Sequence, residues 1–438
     1  MGTTAALEGT LRIGTPESVS LPSQPFIELE RNISEYIVAR DYGSATHGEV
    51  KPIYPGATVT VGHQGTVVSY FAVGDALKYA DANGTELPTE DRIKVAKDTI
   101  WDMASLTKMF TTILVLQQLE RGTIELNQTV KTYVPEFAVN GKENVTILQL
   151  LTHTSGLPSG PFPRLIAYPN ITARREAIIQ QSLINIPGEV YLYSDLSFMT
   201  LQIVLEIVTG KPIDVLLHDE FTGPLGMNNT YYNRGNVEGR HQRVAATEFQ
   251  IAVQGPNEPQ RPQPVWGTVH DENTWSLDGV SGHAGVFSTA WDLAVFCQMI
   301  LNNGTYSGKT ILQPESIDHI FTNYNTKFPN DAHGLGFELN QTYWAGPMRS
   351  LQTAGHTGFT GTSMAIDRSS GTFFILLTNR VHPSRNWSSP NIVRQMLGYW
   401  VHEALNQKHE QGDRWGDVAP FQSVERTVLP SRDVWMIT

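Results

Sequence analysis

Trp101-Asp102-Met103-Ala104-Ser105-Leu106-Thr107-Lys108-Met109-Phe110 is the stretch on which the reading of this 438-residue chain turns. From Leu106 the apolar residues Met109, Phe110, Ile113, Leu114 and Leu119 follow at helical spacing, and Gly122 stands where a helix would end. The helix is too apolar all round for a surface position. Ser105 opens it. Lys108, three residues on, shares its face. A lysine in such surroundings loses the solvation of its charged form, so its pKa falls and the neutral amine can take a serine proton. The unpaired N–H groups at the helix start suit an oxyanion. A Ser-x-x-Lys match is common by chance, and a capping serine followed by a snorkelling lysine is the plain alternative.

Two segments downstream carry compatible chemistry. Tyr193-Ser194-Asp195 follows the turn Pro187-Gly188-Glu189 and precedes a helix over Phe198–Thr209. A phenol there can share a proton with Lys108 and relay it to a leaving group. Alone, the segment reads as a half-buried tyrosine with Asp195 capping the helix. Gly355-His356-Thr357-Gly358-Phe359-Thr360-Gly361-Thr362-Ser363 lets backbone approach a ligand closely, with the Phe359 N–H as an oxyanion donor. Alone it reads as a tight glycine-rich turn.

Ala57–Ala76 alternates around Gly62-His63-Gln64-Gly65 and predicts a β-hairpin. Met364–Ile366, Asp367–Gly371 and Thr372–Leu377 predict a second, whose last strand is apolar on both faces as a central strand would be. Helical spacing recurs at Ile147–Leu151, Ala173–Leu183, Phe198–Thr209, Ile213–Phe221, Ala290–Leu301, Pro314–Phe321 and Ile392–Leu405, with a proline-rich loop at Gln254–Val265. The fold expected is α+β: an antiparallel sheet flanked by terminal helices, with a mostly helical insertion. The sheet domain would take residues 1–105 and 350–406, the helical domain 106–349, and an extension 407–438.

The order and separation of the three segments within this layout resemble the serine β-lactamase and penicillin-binding-protein family, especially its esterase and D-aminopeptidase branch. Its Ser-x-x-Lys, Tyr-x-Asn and Lys-Thr-Gly motifs correspond to Ser105/Lys108, Tyr193/Asp195 and His356-Thr357-Gly358. Leu150–Pro158 and Ser281–Ala290 are similar to phrases of that branch, and Gly267–Asp271 and Thr378–Asn386 to a bacterial subgroup. The resemblance spans about residues 27–405. It implies a β-lactamase/transpeptidase-like fold and a covalent acyl-enzyme on Ser105. Lys108 and Tyr193 would handle the proton, and the Ser105 and Phe359 N–H groups would form the oxyanion hole. Asp195, His356, Thr357 and Gly358 would line the substrate cleft.

Two departures bear on specificity. Asp195 replaces an asparagine and adds a carboxylate. His356 replaces a lysine that in the family helps hold a substrate carboxylate. Efficient β-lactam turnover is therefore not expected, and neutral esters, amides or peptides with D-residues fit better. Affinity for carboxylate-bearing substrates is expected to weaken as His356 titrates between about pH 5 and 8. An acyltransferase of a biosynthetic pathway is the alternative, and a non-catalytic scaffold that retains the fold the third.

Composition removes other classes. The net charge is −12 with no Lys/Arg cluster, so no nucleic-acid partner is expected. One cysteine, Cys297, sits in an apolar run and reads as a buried thiol. His270, Asp271 and His283 lack an HExxH or a cysteine pair to complete a metal site, so neither metal nor cofactor is expected. No Gly-x-Ser-x-Gly elbow and no phosphate loop occur. No apolar run is long enough to span a bilayer, and Met1–Ser20 does not read as a secretion signal, which makes the cytoplasm the default. Ala6 stands where a myristoylation site has Ser or Thr. Asn-x-Ser/Thr triplets begin at Asn32, Asn83, Asn127, Asn144, Asn170, Asn228, Asn303, Asn340 and Asn386. They become glycan acceptors only in a secretory pathway.

Overall fold

The computed structural model describes residues 9–234, 241–250 and 261–410. Most of the proline-rich loop, the first eight residues and the tail from 411 lie outside the described residues.

Both expected hairpins form and join. The sheet strands are β1 (Arg12–Ile13), β2 (Gly56–His63), β3 (Thr66–Leu77), β4 (Ile93–Lys94), β5 (Glu338–Leu339), β6 (Thr353–Thr357), β7 (Ser363–Asp367) and β8 (Thr372–Thr378). Their order is β1-β3-β2-β8-β7-β6-β5, with β4 beside β3. Every pairing is antiparallel except β1 with β3. β8 is central and pairs Phe374 with Val61 of one hairpin and Ala365 of the other. The sheet thus joins chain from both ends, which is why the hairpins are legible locally and their union is not.

Alternation along β8 builds two cores. Phe374 and Leu376 face α1 (Gln24–Glu35), with Phe26, Leu29 and Ile33, and the C-terminal helix Asn391–Glu410, with Val393, Leu397 and Val401. Phe373, Ile375 and Leu377 face the opposite way, into a core shared with the helical part of the chain. That core includes α2 (Thr107–Glu120), α3 (Asp195–Thr209) and α4 (Ala290–Leu301). Cys297 lies within it, fully buried, and burial pushes its thiol well above the ordinary range.

Helix boundaries differ from expectation at three places. α2 begins at Thr107, because Ala104–Leu106 is a separate 3-10 turn, and Gly122 follows its end in the left-handed region. α3 begins at Asp195 rather than Phe198, because the Ser194 side chain accepts from the Ser197 N–H. The helix expected over Ala173–Leu183 runs Ile171–Ile179, started by Asn170, whose side chain accepts from the Ala173 N–H. Seven of the triplet asparagines are exposed, and Asn32 and Asn340 are half-buried. Among the described residues no helix is long and apolar enough to cross a membrane.

Candidate active site

The strand Trp101–Asp102 pairs with Val286–Ser288 and ends where Met103 N–H donates to the Val286 carbonyl at 2.9 Å. Ala104 then adopts φ +46°, which a β-carbon disfavours by about 1–2 kcal/mol. The Asp102 carboxylate holds this bend by accepting from the Ala104 N–H at 2.9 Å and the His270 N–H at 2.6 Å. Burial raises its pKa against those two bonds. From Trp101 to Thr112 only Ser105 escapes full burial. The bend therefore presents one hydroxyl from an otherwise sealed segment.

Lys108 Nζ lies 3.1 Å from Ser105 Oγ, 2.7 Å from Asp195 Oδ1 and 3.2 Å from the His283 carbonyl. Its side chain has no solvent exposure. Burial lowers its pKa, and Asp195 opposes that shift. Nζ also sits 4.7 Å from the centre of the Tyr193 ring. The Tyr193 phenol is held well above its usual pKa by burial and by the charge of Asp195, against a hydrogen bond with Ser105. Hydroxyl, amine, phenol and carboxylate thus meet, although 87 residues separate Lys108 from Asp195. Asp195, expected to line the cleft, directs an oxygen at Lys108; as first residue of α3 it sits at the helix's positive end.

The glycine-rich turn is built to approach the bend before Ser105 closely. A β-carbon on Gly358 would lie 2.5 Å from the Met103 carbonyl oxygen and 2.1 Å from Thr362 Oγ1. Thr360 Oγ1 donates to the Asp102 carbonyl at 2.8 Å, and Thr362 Oγ1 to the Met103 carbonyl at 3.1 Å. Arg394 donates to the carbonyls of Gly358 and Thr362, and Arg380 Nε to that of Phe359 at 2.8 Å. The Phe359 ring is flanked by the Arg380 and Arg385 guanidinium groups at 4.5 and 5.4 Å. Arg380 falls within the Thr378–Asn386 phrase without a role of its own there, and Arg394 within the helical run Ile392–Leu405. Their contacts to the turn run largely to backbone carbonyls, which leave no motif.

His356 lies on β6, its ring centre 5.8 Å from that of Tyr193, and its Nδ1 donates to the Thr357 carbonyl at 2.7 Å. Burial lowers its pKa to about 4. This corrects the expectation of titration between pH 5 and 8: the imidazole is already neutral throughout that window. Thr357 is half-buried beside it.

The remaining phrases line up behind the site. His153, from Leu150–Pro158, packs its ring 4.6 Å from Tyr193 and accepts from the Ser194 N–H at 3.0 Å, which fixes the entry to α3. His283 spends its side chain between Ser281 Oγ at 2.8 Å and Asp271 Oδ1 at 3.1 Å, which holds the carbonyl that Lys108 meets. His270 pairs with Glu248 at 2.9 Å. Burial raises the Glu248 pKa, but His270 and Arg385 pull it down to about 2. Asn379 Oδ1 accepts from the Gly56 N–H at 3.1 Å and so ties the two hairpins together.

A model of the Beta-lactamase family matches residues 47–395.

The chain belongs to the beta-lactamase family.

It is 32% identical over 401 residues to a Salmonella enteritidis protein named "Putative D-alanyl-D-alanine carboxypeptidase", covering 85% of this chain and 86% of that one. A penicillin-binding protein homolog from Caulobacter crescentus superimposes with a TM-score of 0.61 at 20% identity, covering 87% of this chain and 98% of that one. EstCE1, described as a hydrolase with promiscuous acyltransferase activity, gives 0.62 at 20% identity, covering 86% and 99%. The α+β, β-lactamase/transpeptidase-like architecture expected from the sequence is therefore the one found. As a beta-lactamase-family member the chain is an enzyme of the serine-hydrolase type.

Proposed function

We propose that this beta-lactamase-family enzyme acylates Ser105 with neutral esters or amides, of the esterase or D-amino-acid peptidase type, and hydrolyses the product slowly or not at all when the substrate is a β-lactam. The observation that carries the reading is the 3.1 Å approach of the Ser105 hydroxyl to a lysine amine with no solvent exposure. A buried amine facing an accessible hydroxyl is the arrangement that activates serine. Lys108, with the Tyr193 hydroxyl beside it, handles the serine proton. The N–H groups of Ser105 and Phe359 receive the oxyanion, each such donor being worth about 2.7–4 kcal/mol in comparable sites.

Substrate choice follows from His356. The relative's name points to peptides that end in a D-alanyl carboxylate. A cation at position 356 would suit that group, but this imidazole is neutral above about pH 5. Asp195 adds negative charge nearby and repels a carboxylate further. Substrates without a free carboxylate at this position therefore fit best.

The test is incubation with p-nitrophenyl acetate and with a fluorescent penicillin, followed by mass mapping of adducts. The reading expects an acetyl adduct on Ser105 that turns over, a slow or absent penicillin adduct, and no adduct in Ser105→Ala. Absence of any Ser105 adduct with the ester would overturn it.

A further inference from the structure

The three acceptors around Lys108 define more than a position. An ammonium has three N–H bonds, and Ser105 Oγ, Asp195 Oδ1 and the His283 carbonyl supply one acceptor for each. When Lys108 carries its third proton all three are spent, and the amine has no lone pair to offer Ser105. One proton must leave as the serine proton arrives. The His283 carbonyl cannot take it, and Ser105 is the group to be deprotonated. The shortest of the three contacts, 2.7 Å, runs to a carboxylate that can.

The geometry points to Asp195 as the proton sink of acylation: Lys108 passes a proton to Asp195 Oδ1 as it receives the one from Ser105. This rests on the reading of Ser105 as nucleophile. The Ser105 O–H bond breaks while Oγ bonds to the substrate carbonyl carbon, and the carbonyl π pair moves to oxygen. Lys108 Nζ gains the serine proton and loses one to Asp195, so its own charge is unchanged. When the intermediate collapses, the leaving group takes its bonding pair and a proton from Lys108, which recovers one from Asp195. No outside acid, base or oxidant is consumed. An asparagine, which the resemblance places at this position, offers the same acceptor oxygen but cannot bind the proton.

Burial favours the exchange, because it converts an ammonium–carboxylate pair into two neutral groups. Tyr193 is the rival acceptor. Its phenol is held well above the ordinary range by burial and by Asp195, so phenolate is the costlier state. The neutral Tyr193 hydroxyl remains a partner of Ser105. The other titratable groups facing the pair are Asp271, Glu338, His153 and His356, with His333 behind the two histidines.

The experiment is burst-phase release of p-nitrophenol from p-nitrophenyl acetate between pH 5 and 9, with Ser105 adducts mapped in parallel. It uses the full chain as wild type, Asp195→Asn and Asp195→Glu. Asp195→Asn should acylate about 100-fold more slowly at every pH, as loss of a proton acceptor does, with partial recovery in Asp195→Glu. Should Asp195 be only a counter-ion, Asp195→Asn would release Lys108 to lose its proton more easily. Acylation would then hold or rise at low pH, which overturns the proposal. Independently of any variant, wild-type acylation in H2O/D2O mixtures should depend on deuterium fraction along a curve, because two protons move together. A straight line overturns it. A wild type that forms no Ser105 adduct removes the parent reading instead, and this inference with it.

Discussion

Gly358→Ala isolates the approach between the glycine-rich turn and the bend before Ser105. The new β-carbon would sit 2.5 Å from the Met103 carbonyl oxygen, itself held by Thr362 Oγ1, and 2.1 Å from that same Thr362 oxygen. Ordinary contact requires the first gap to open by about 0.9 Å. Neither neighbour is the free end of a long side chain. Met103 N–H is bonded to Val286, and Thr362 is buried with its carbonyl on Arg394. The turn as a whole must therefore recede, carrying the Phe359 N–H with it. A displacement of about 1 Å at a reacting geometry costs roughly 100-fold, similar to losing one oxyanion donor. Overpacking of this kind costs about 1–3 kcal/mol of stability, which a folded chain with two large cores should survive. The assay is burst-phase p-nitrophenol release, with thermal unfolding run beside it. Gly160→Ala, where a β-carbon meets nothing within 4 Å, is the control and should behave as wild type. A Gly358→Ala enzyme that is folded and acylates at the wild-type rate would refute the close-approach argument and the oxyanion role of Phe359.

Lys108→Met, which keeps bulk and removes the amine, should slow acylation by about 100- to 10,000-fold; a burst rate within tenfold of wild type would place the base elsewhere. With His356 neutral above about pH 5, KM for a carboxylate-bearing ester should stay flat from pH 5 to 8, and a steady rise across that window would show that the imidazole titrates there. The same depressed pKa makes the unfolded chain bind more protons below about pH 6.5, so folding stability should fall from there to about pH 4, and urea midpoints should fall less steeply in His356→Gln. Arg385→Ala removes charge-assisted bonds to Glu248 and Glu272 and should cost about 1.5–3 kcal/mol, read by urea unfolding. Glu248 is held at about 2, so that loss should be present above the ordinary glutamate range near pH 4.5 and vanish as pH falls through about 2; an unchanged midpoint at pH 7 would contradict it.

The two hairpins, the buried helix after Ser105 and the pairing of Ser105 with Lys108 were determined by sequence alone, because period-two alternation, helical spacing and an i, i+3 step act within a few residues. The order of Ser105, Tyr193 and His356 carried the family for the same reason: motifs are local words in a fixed sequence. The tertiary structure decided which groups share a proton and which keep a charge. Asp195 read as a cap or a cleft wall until α3 laid it against Lys108, and Ser194 turned out to be the cap. His356 carried an ordinary imidazole pKa until packing removed its solvent. Arg380 and Arg394 entered the site through carbonyls that any residue could provide. Desolvation and through-space Coulomb terms depend on neighbours hundreds of positions away, so no local reading of the chain contains them.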